Sequence, residues 1–170
     1  MAEAFAIRQA VITIPDPARF LGGIRGIGER FRTRIICLDA DRLAGRAHAA
    51  AAIQAALRSV TGGDPIANTL EMEALLYAAG SRQCSLATRF GIHGGPNRSY
   101  VILAPPVEVA WVALAGCMEF VKQDWDRLTA GKRRGLAEAF AITEEELAAV
   151  GRERFRDLVL ERVALLDVSR

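Results

Sequence analysis

Apolar residues fall in blocks whose spacing changes along the chain, and each change marks a new element. Residues 5–14 are dense in apolar and β-branched side chains and stop at Pro15-Asp16-Pro17, which predicts a first strand ended by a turn. Over residues 17–32, Phe20, Leu21, Ile24, Ile27 and Phe31 recur at helical intervals, although Gly22, Gly23, Gly26 and Gly28 weaken that helix. Residues 34–38 form a short apolar run, a second strand, and Asp39 and Asp41 open the next element. Residues 43–60 are Ala-rich and helical until Thr61-Gly62-Gly63-Asp64-Pro65 stops them.

A third helix is predicted from Asn68, with Glu71 three residues on in the manner of a capping box. Leu70, Ala74, Leu75 and Ala78 form its inner face, and Gly80 ends it. Ser81 is placed to cap a further short helix over residues 82–90, closed by Gly91. Residues 93–98 contain Gly94-Gly95-Pro96-Asn97 and read as a loop, and residues 100–104 as a strand that is apolar throughout. Pro106 suits the first turn of a helix reaching to about Asp126. That helix is apolar around most of its circumference, so it lies in the core or under a partner.

Lys132-Arg133-Arg134 come next, then residues 136–140. Thr143 as N-cap, Glu146 three residues later and Ile142 stapled to Leu147 start another helix. The last helix, residues 152–168, sets Phe155, Leu158, Val159, Val163 and Leu166 on one face. The order is β-α-β-α-α-α-β-α-α-α. It describes an α/β fold, one domain over residues 1–170, with a small mixed sheet of three to five strands packed with about seven helices.

Composition narrows the function. The chain has 170 residues, 51% of them hydrophobic, enough for a real core. Its net charge of +2 and sequence pI near 8.6 are too balanced for nucleic-acid binding by bulk charge alone. The cations are almost all Arg, which favours bidentate contacts to phosphate or carboxylate and also accompanies a GC-rich genome. Cys37, Cys84 and Cys117 are odd in number, widely spaced and set among apolar neighbours, so they read as buried thiols in a reducing cytosol. The N-terminus lacks the basic segment of a signal peptide. The most membrane-like stretch, residues 100–121, is broken by Pro105-Pro106 and carries Glu108 and Glu119. A buried strand and helix explain it better than a bilayer span, and a cytoplasmic protein without membrane contact is expected.

Motifs for catalysis are mostly missing. His48 sits in the Ala-rich helix and reads as structural; His93 sits in a Gly-rich loop. Neither has a neighbour at a metal-ligand spacing, and no catalytic residue, metal ligand or cofactor is assigned. Gly22-Gly23-Ile24-Arg25-Gly26-Ile27-Gly28 follows a strand, as a phosphate cradle does, but its spacing is not G-x-G-x-x-G. With the Asp39/Asp41 pair it sustains an alternative, a small nucleotide- or phosphometabolite-binding enzyme; close packing of glycines and helix capping are the plainer readings. Two basic clusters, Arg25-Arg30-Arg32-Arg34 and Lys132-Arg133-Arg134, suit either phosphate or a solvated face.

One stretch carries a resemblance. Asn68-Thr69-Leu70-Glu71-Met72-Glu73-Ala74-Leu75-Leu76-Tyr77-Ala78-Ala79-Gly80-Ser81-Arg82-Gln83, continued by Leu86-Ala87-Thr88-Arg89-Phe90-Gly91-Ile92, resembles the kinase-binding regulatory subunits of the KEOPS complex. Their pattern is an E-x-L-L helix, G-[ST]-R-[NQ], and a short helix ending F-G-I. Leu38-Asp39-Ala40-Asp41 with His48, and Ile142-Thr143-Glu144-Glu145-Glu146-Leu147 with the last helix, are similar to archaeal members. Cys84 stands where the family usually has Ile.

The resemblance implies a non-catalytic subunit in the synthesis of threonylcarbamoyl-adenosine on tRNA. Such a subunit binds and stimulates an atypical kinase/ATPase, and in archaeal members it also captures the single-stranded 3′ CCA end of tRNA. On that footing Phe155, Leu158, Val159, Arg162 and Val163 are expected at the kinase interface, with ordinary core as the competing reading. For tRNA the expected residues are Ser81, Arg82 and Gln83 at a helix N-terminus, then Arg98 and Arg25.

Overall fold

β3 (Gly95–Ala104) explains the architecture, because its second half is buried on both sides. The computed structural model describes residues 3–168. β3 lies between β1 (Ala6–Ile14) and β2 (Arg34–Asp39), and β4 (Glu119–Val121) pairs with the far side of β1. The sheet order is β2-β3-β1-β4 and every neighbouring pair is antiparallel rather than mixed. Tyr100, Ile102 and Ala104 enter one core and Val101 and Leu103 the other. A strand covered on both faces loses the polar alternation of a half-exposed one.

The two cores have different covers. On one side lie α1 (Pro17–Phe31) and α5 (Glu108–Leu114), packed on Ile12, Ile14, Ile35 and Leu103. On the other lie α2 (Arg46–Thr61), α3 (Leu70–Ala79) and α8 (Phe155–Val168), packed on one another and on Leu38, Tyr100 and Ile102. The α/β, single-domain expectation holds, with eight α-helices among the described residues.

Local signals place most boundaries. Asp16 caps α1, its carboxylate accepting from the Arg19 N–H at 3.3 Å, and Pro17 occupies the first turn. Thr143 caps α7 (Glu144–Val150) by accepting from the Glu146 N–H at 3.1 Å, with Ile142 and Leu147 buried beside it. α3 departs by one residue: Thr69, not Asn68, is its cap, accepting from Met72 N–H at 3.2 Å. The expected helix over residues 82–90 is a single α turn, α4 (Cys84–Ala87), followed by a 3-10 turn. The loop at residues 93–98 is already strand from Gly95, because the Asn97 amide ties the turn by donating to the His93 and Gly95 carbonyls at 2.8 Å each.

The helix expected from Pro106 to about Asp126 ends at Leu114. The chain turns through residues 115–118 and returns as β4. Its apolar residues split between elements: Trp111 meets Phe120 edge-on at 5.4 Å, while Val121 packs against the opposite core. α6 (Ala130–Ala139) follows, capped by Thr129. Among the described residues no helix is long and apolar enough to cross a membrane.

The face expected to dock a kinase is core. Phe155, Leu158, Val159 and Val163 are all buried by α2, α3 and their own helix, with Val159 at 0% exposure. Arg162 is spent within the fold, holding Glu146 of α7 at 2.8 and 2.6 Å and keeping that carboxyl below its usual range. α5 and α8 also lie on opposite faces of the sheet, so they cannot form one shared surface.

His48 is structural, as expected, and makes stability depend on pH. Its ring is fully buried; Nδ1 accepts from the Ala44 N–H at 3.0 Å and Nε2–H donates to the Ala78 carbonyl at 2.8 Å. The bond from Ala44 requires the neutral ring, because a protonated Nδ1 cannot accept, and burial lowers the pKa from 6.5 to about 4. The unfolded chain therefore takes up this proton first as pH falls. The contribution is whole above pH 6.5 and is lost between there and about 4. About 2 kcal/mol should disappear between pH 7 and pH 5. Thermal melts check this: wild type loses several degrees over that range, and His48→Gln, less stable at pH 7, shows a flatter profile.

Candidate functional site

β2 ends the sheet, and α1 and α3 stand over its two faces. Between those helices a groove of about 790 Å³ opens along the free edge of β2. It runs from Thr33 and Pro105 at one end to Thr88, Gly91 and Ile92 at the other. Leu21 and Ile24 line it from α1, and Met72 and Leu75 from α3. Arg25 and Arg32 stand exposed on the α1 side, and Arg34 pairs with Glu71 across the strand at 3.3 Å. Half-buried apolar side chains under exposed guanidinium groups suit a planar group held flat, with an anion beside it.

The walls are set by local chemistry. α1 can lie close to β2 because Gly28 has no side chain: a Cβ there would stand 2.7 Å from the Thr33 carbonyl oxygen. On the other wall Glu73, fully buried, accepts from the backbone N–H of Ile66 at 2.8 Å and of Ala67 at 3.2 Å, and from the Ser59 hydroxyl at 3.3 Å. The acid of the E-x-L-L signature thus folds the loop before α3 onto α3 and is unavailable to a ligand.

The expected tRNA residues do not converge. Arg25 lines the groove. Ser81 and Gln83 follow the left-handed Gly80, and the Ser81 hydroxyl accepts from the Gln83 N–H at 3.1 Å. With α4 one turn long, there is no aligned helix end here for Ser81, Arg82 and Gln83 to hold a phosphate. Arg98 lies on β3, ion-paired to Asp41 at 2.6 Å and over the Trp125 ring at 5.2 Å. It lines a separate hollow of about 380 Å³ with Arg127 and Lys132. Burial, and then Arg98, hold the Lys132 ammonium below its usual range. The groove residues not singled out as site residues in the sequence are Met72, Leu75 and Ile92. Met72 and Leu75 are an i, i+3 apolar step on α3, where Leu75, expected on the inner face, is half-buried along the groove, and Ile92 lies just beyond the 3-10 turn.

The enzyme alternative is not assembled. Gly22, Gly23 and Gly26 are interior residues of α1, not a loop, with open space where a side chain would stand. Asp39 caps a 3-10 turn at the far end of β2 and Asp41 lies within that turn, the Asp39 carboxylate accepting from the Asp41 N–H at 2.9 Å. Burial raises the Asp39 pKa, and His93 and Arg42 stand 3.7 Å from it. This pair borders another hollow of about 310 Å³, away from the glycines. No group of three or more potential metal ligands occurs among the described residues. Cys37 is buried, its thiol pushed up to about 12 by burial, whereas Cys84 and Cys117 are exposed, against the expectation of three buried thiols.

No protein-family model matches the chain, and a search of the curated proteins finds no match.

Proposed function

We propose that this chain is a non-catalytic accessory subunit of a KEOPS-type tRNA-modifying complex, working in the cytoplasm beside an atypical kinase/ATPase, and that its groove holds the unpaired CCA end of tRNA. One observation carries the reading. The residues that resemble the family signature supply one wall of the groove, through Met72, Leu75, Thr88, Gly91 and Ile92, and exposed arginines stand on the other. A single-stranded end presents bases for the apolar wall and phosphates for Arg25 and Arg32.

The arginines provide the test. An Arg25→Glu/Arg32→Glu variant should bind a CCA-ended tRNA about 10- to 100-fold more weakly at low salt, with a salt dependence shallower by about 1.4 in log–log slope. Fluorescence anisotropy over a salt series measures both. Removing CCA from the RNA should weaken wild type and leave the variant little changed. An unchanged affinity in the double variant assigns RNA elsewhere.

Kinase docking then falls to apolar side chains that the fold leaves outside on one element, Val109 and Val112 of α5, 54% and 69% exposed.

A further inference from the structure

β2 is an edge strand of an unusual kind. Edge strands are ordinarily guarded by charge, bulges or brevity, because their outward N–H and C=O groups invite pairing. Residues 35–38 are Ile-Ile-Cys-Leu, all buried, with Ile35 and Cys37 facing the α1 side and Ile36 and Leu38 the α3 side. Antiparallel pairing with β3 uses the backbone groups on one side of the strand only. Among the described residues, nothing bonds the outward backbone groups of residues 35–38; the Thr33 hydroxyl beside them donates to the Pro105 carbonyl at 2.5 Å and lies 3.5 Å from that of Arg34. Their edge faces the groove of about 790 Å³, open along the strand. An edge row that the fold leaves without partners, open to a groove between two apolar walls, is shaped for a strand that would complement it.

We propose that β2 accepts a further strand: an extended peptide segment of a partner protein lies in the groove and pairs backbone to backbone with residues 35–38. A peptide offers alternating donors and acceptors at the repeat of the strand; an RNA backbone does not. Its side chains alternate between the α1 wall, at Leu21 and Ile24, and the α3 wall, at Met72 and Leu75, so apolar residues suit both sides. Arg25 and Arg32, exposed at the rim, call for carboxylates at its ends. At about 3.3 Å per residue, the six residues Arg34–Asp39 match a segment of about six. The peptide and the RNA end proposed above would then exclude each other from the groove, though the strand-pairing inference does not depend on RNA binding.

The probe is the synthetic peptide acetyl-Asp-Ile-Val-Val-Ile-Asp-amide, with two analogues N-methylated at alternate amides in either register. The expected result is slowed hydrogen exchange at the outward amides of β2, and a loss of about tenfold or more in affinity for one methylated analogue but not the other. The inference is overturned if the peptide fails to bind at millimolar concentration, if both analogues bind equally, or if a CCA-ended RNA protects those amides and the peptide does not. RNA that fails to bind while the peptide binds sinks the tRNA reading alone.

Discussion

Val163→Arg should destroy the fold rather than a contact. Val163 is 1% exposed and belongs to the cluster that joins α8 to α2 and α3, with Phe155, Leu158 and Val159 beside it. A guanidinium placed there has no carboxylate among those apolar neighbours. It must stay buried unpaired or pull α8 away from the sheet. Either route costs about 5 kcal/mol or more, as much as a whole domain of this size commonly has. The variant should therefore give no cooperative thermal transition and no monodisperse peak in size exclusion. Val112→Arg is the matched control: at 69% exposure the same change should move the melting temperature by no more than about 2 °C. A folded Val163→Arg that lost only a binding partner would show that α8 docks outward.

This result also marks what an apolar stripe says in a sequence. The spacing of Phe155, Leu158, Val159, Val163 and Leu166 reports that one face of the helix leaves water; it does not report what covers it. Signals complete within a few residues were legible: Asp16 before Pro17, Thr143 before Glu146, Gly62 after Thr61. Residues 106–126 were not, because a helix packed on one core and a half-buried strand touching both read alike as mostly apolar sequence. The groove was legible only in part. Arg25, Arg32 and Arg34 stood out as a cluster, but their partners on α3 lie some forty residues on and meet them only through the sheet edge. The glycines of α1 weakened a helix reading that the structure bears out, and of the four only Gly28 has a neighbour that demands a glycine.

Gly45→Ala should be the most damaging one-methyl change in the molecule. Gly45 has φ 97° and ψ −171°, a conformation open in practice to glycine alone. It is the N-cap residue of α2 and has no side chain to cap with, so the role falls to Asp126, whose Oδ1 accepts from the N–H of Arg46, 80 residues before it, at 2.8 Å. A Cβ on residue 45 would stand 2.4 Å from that same Oδ1 and 3.1 Å from the Asp126 Cα. The carboxylate cannot step aside and keep the cap, and the backbone behind it is held as well. Arg156 donates to the Ala44 carbonyl at 2.7 Å and also to the Asp126 carbonyl, tying both chains to α8. Strain of about 1–3 kcal/mol adds to loss of a cap of about 1 kcal/mol, for a total of about 2–4 kcal/mol and a fall in melting temperature of roughly 10 °C. Two further variants separate the causes. Asp126→Ala removes the cap alone and should cost about 1 kcal/mol. Combining it with Gly45→Ala relieves the clash but not the backbone strain, so the pair should cost less than the sum of the two. Because α2 backs α3, and α3 is a wall of the groove, Gly45→Ala should also weaken whatever the groove binds, without touching a residue that lines it. A Gly45→Ala protein that melts within 2 °C of wild type would mean that Asp126 does not cap α2.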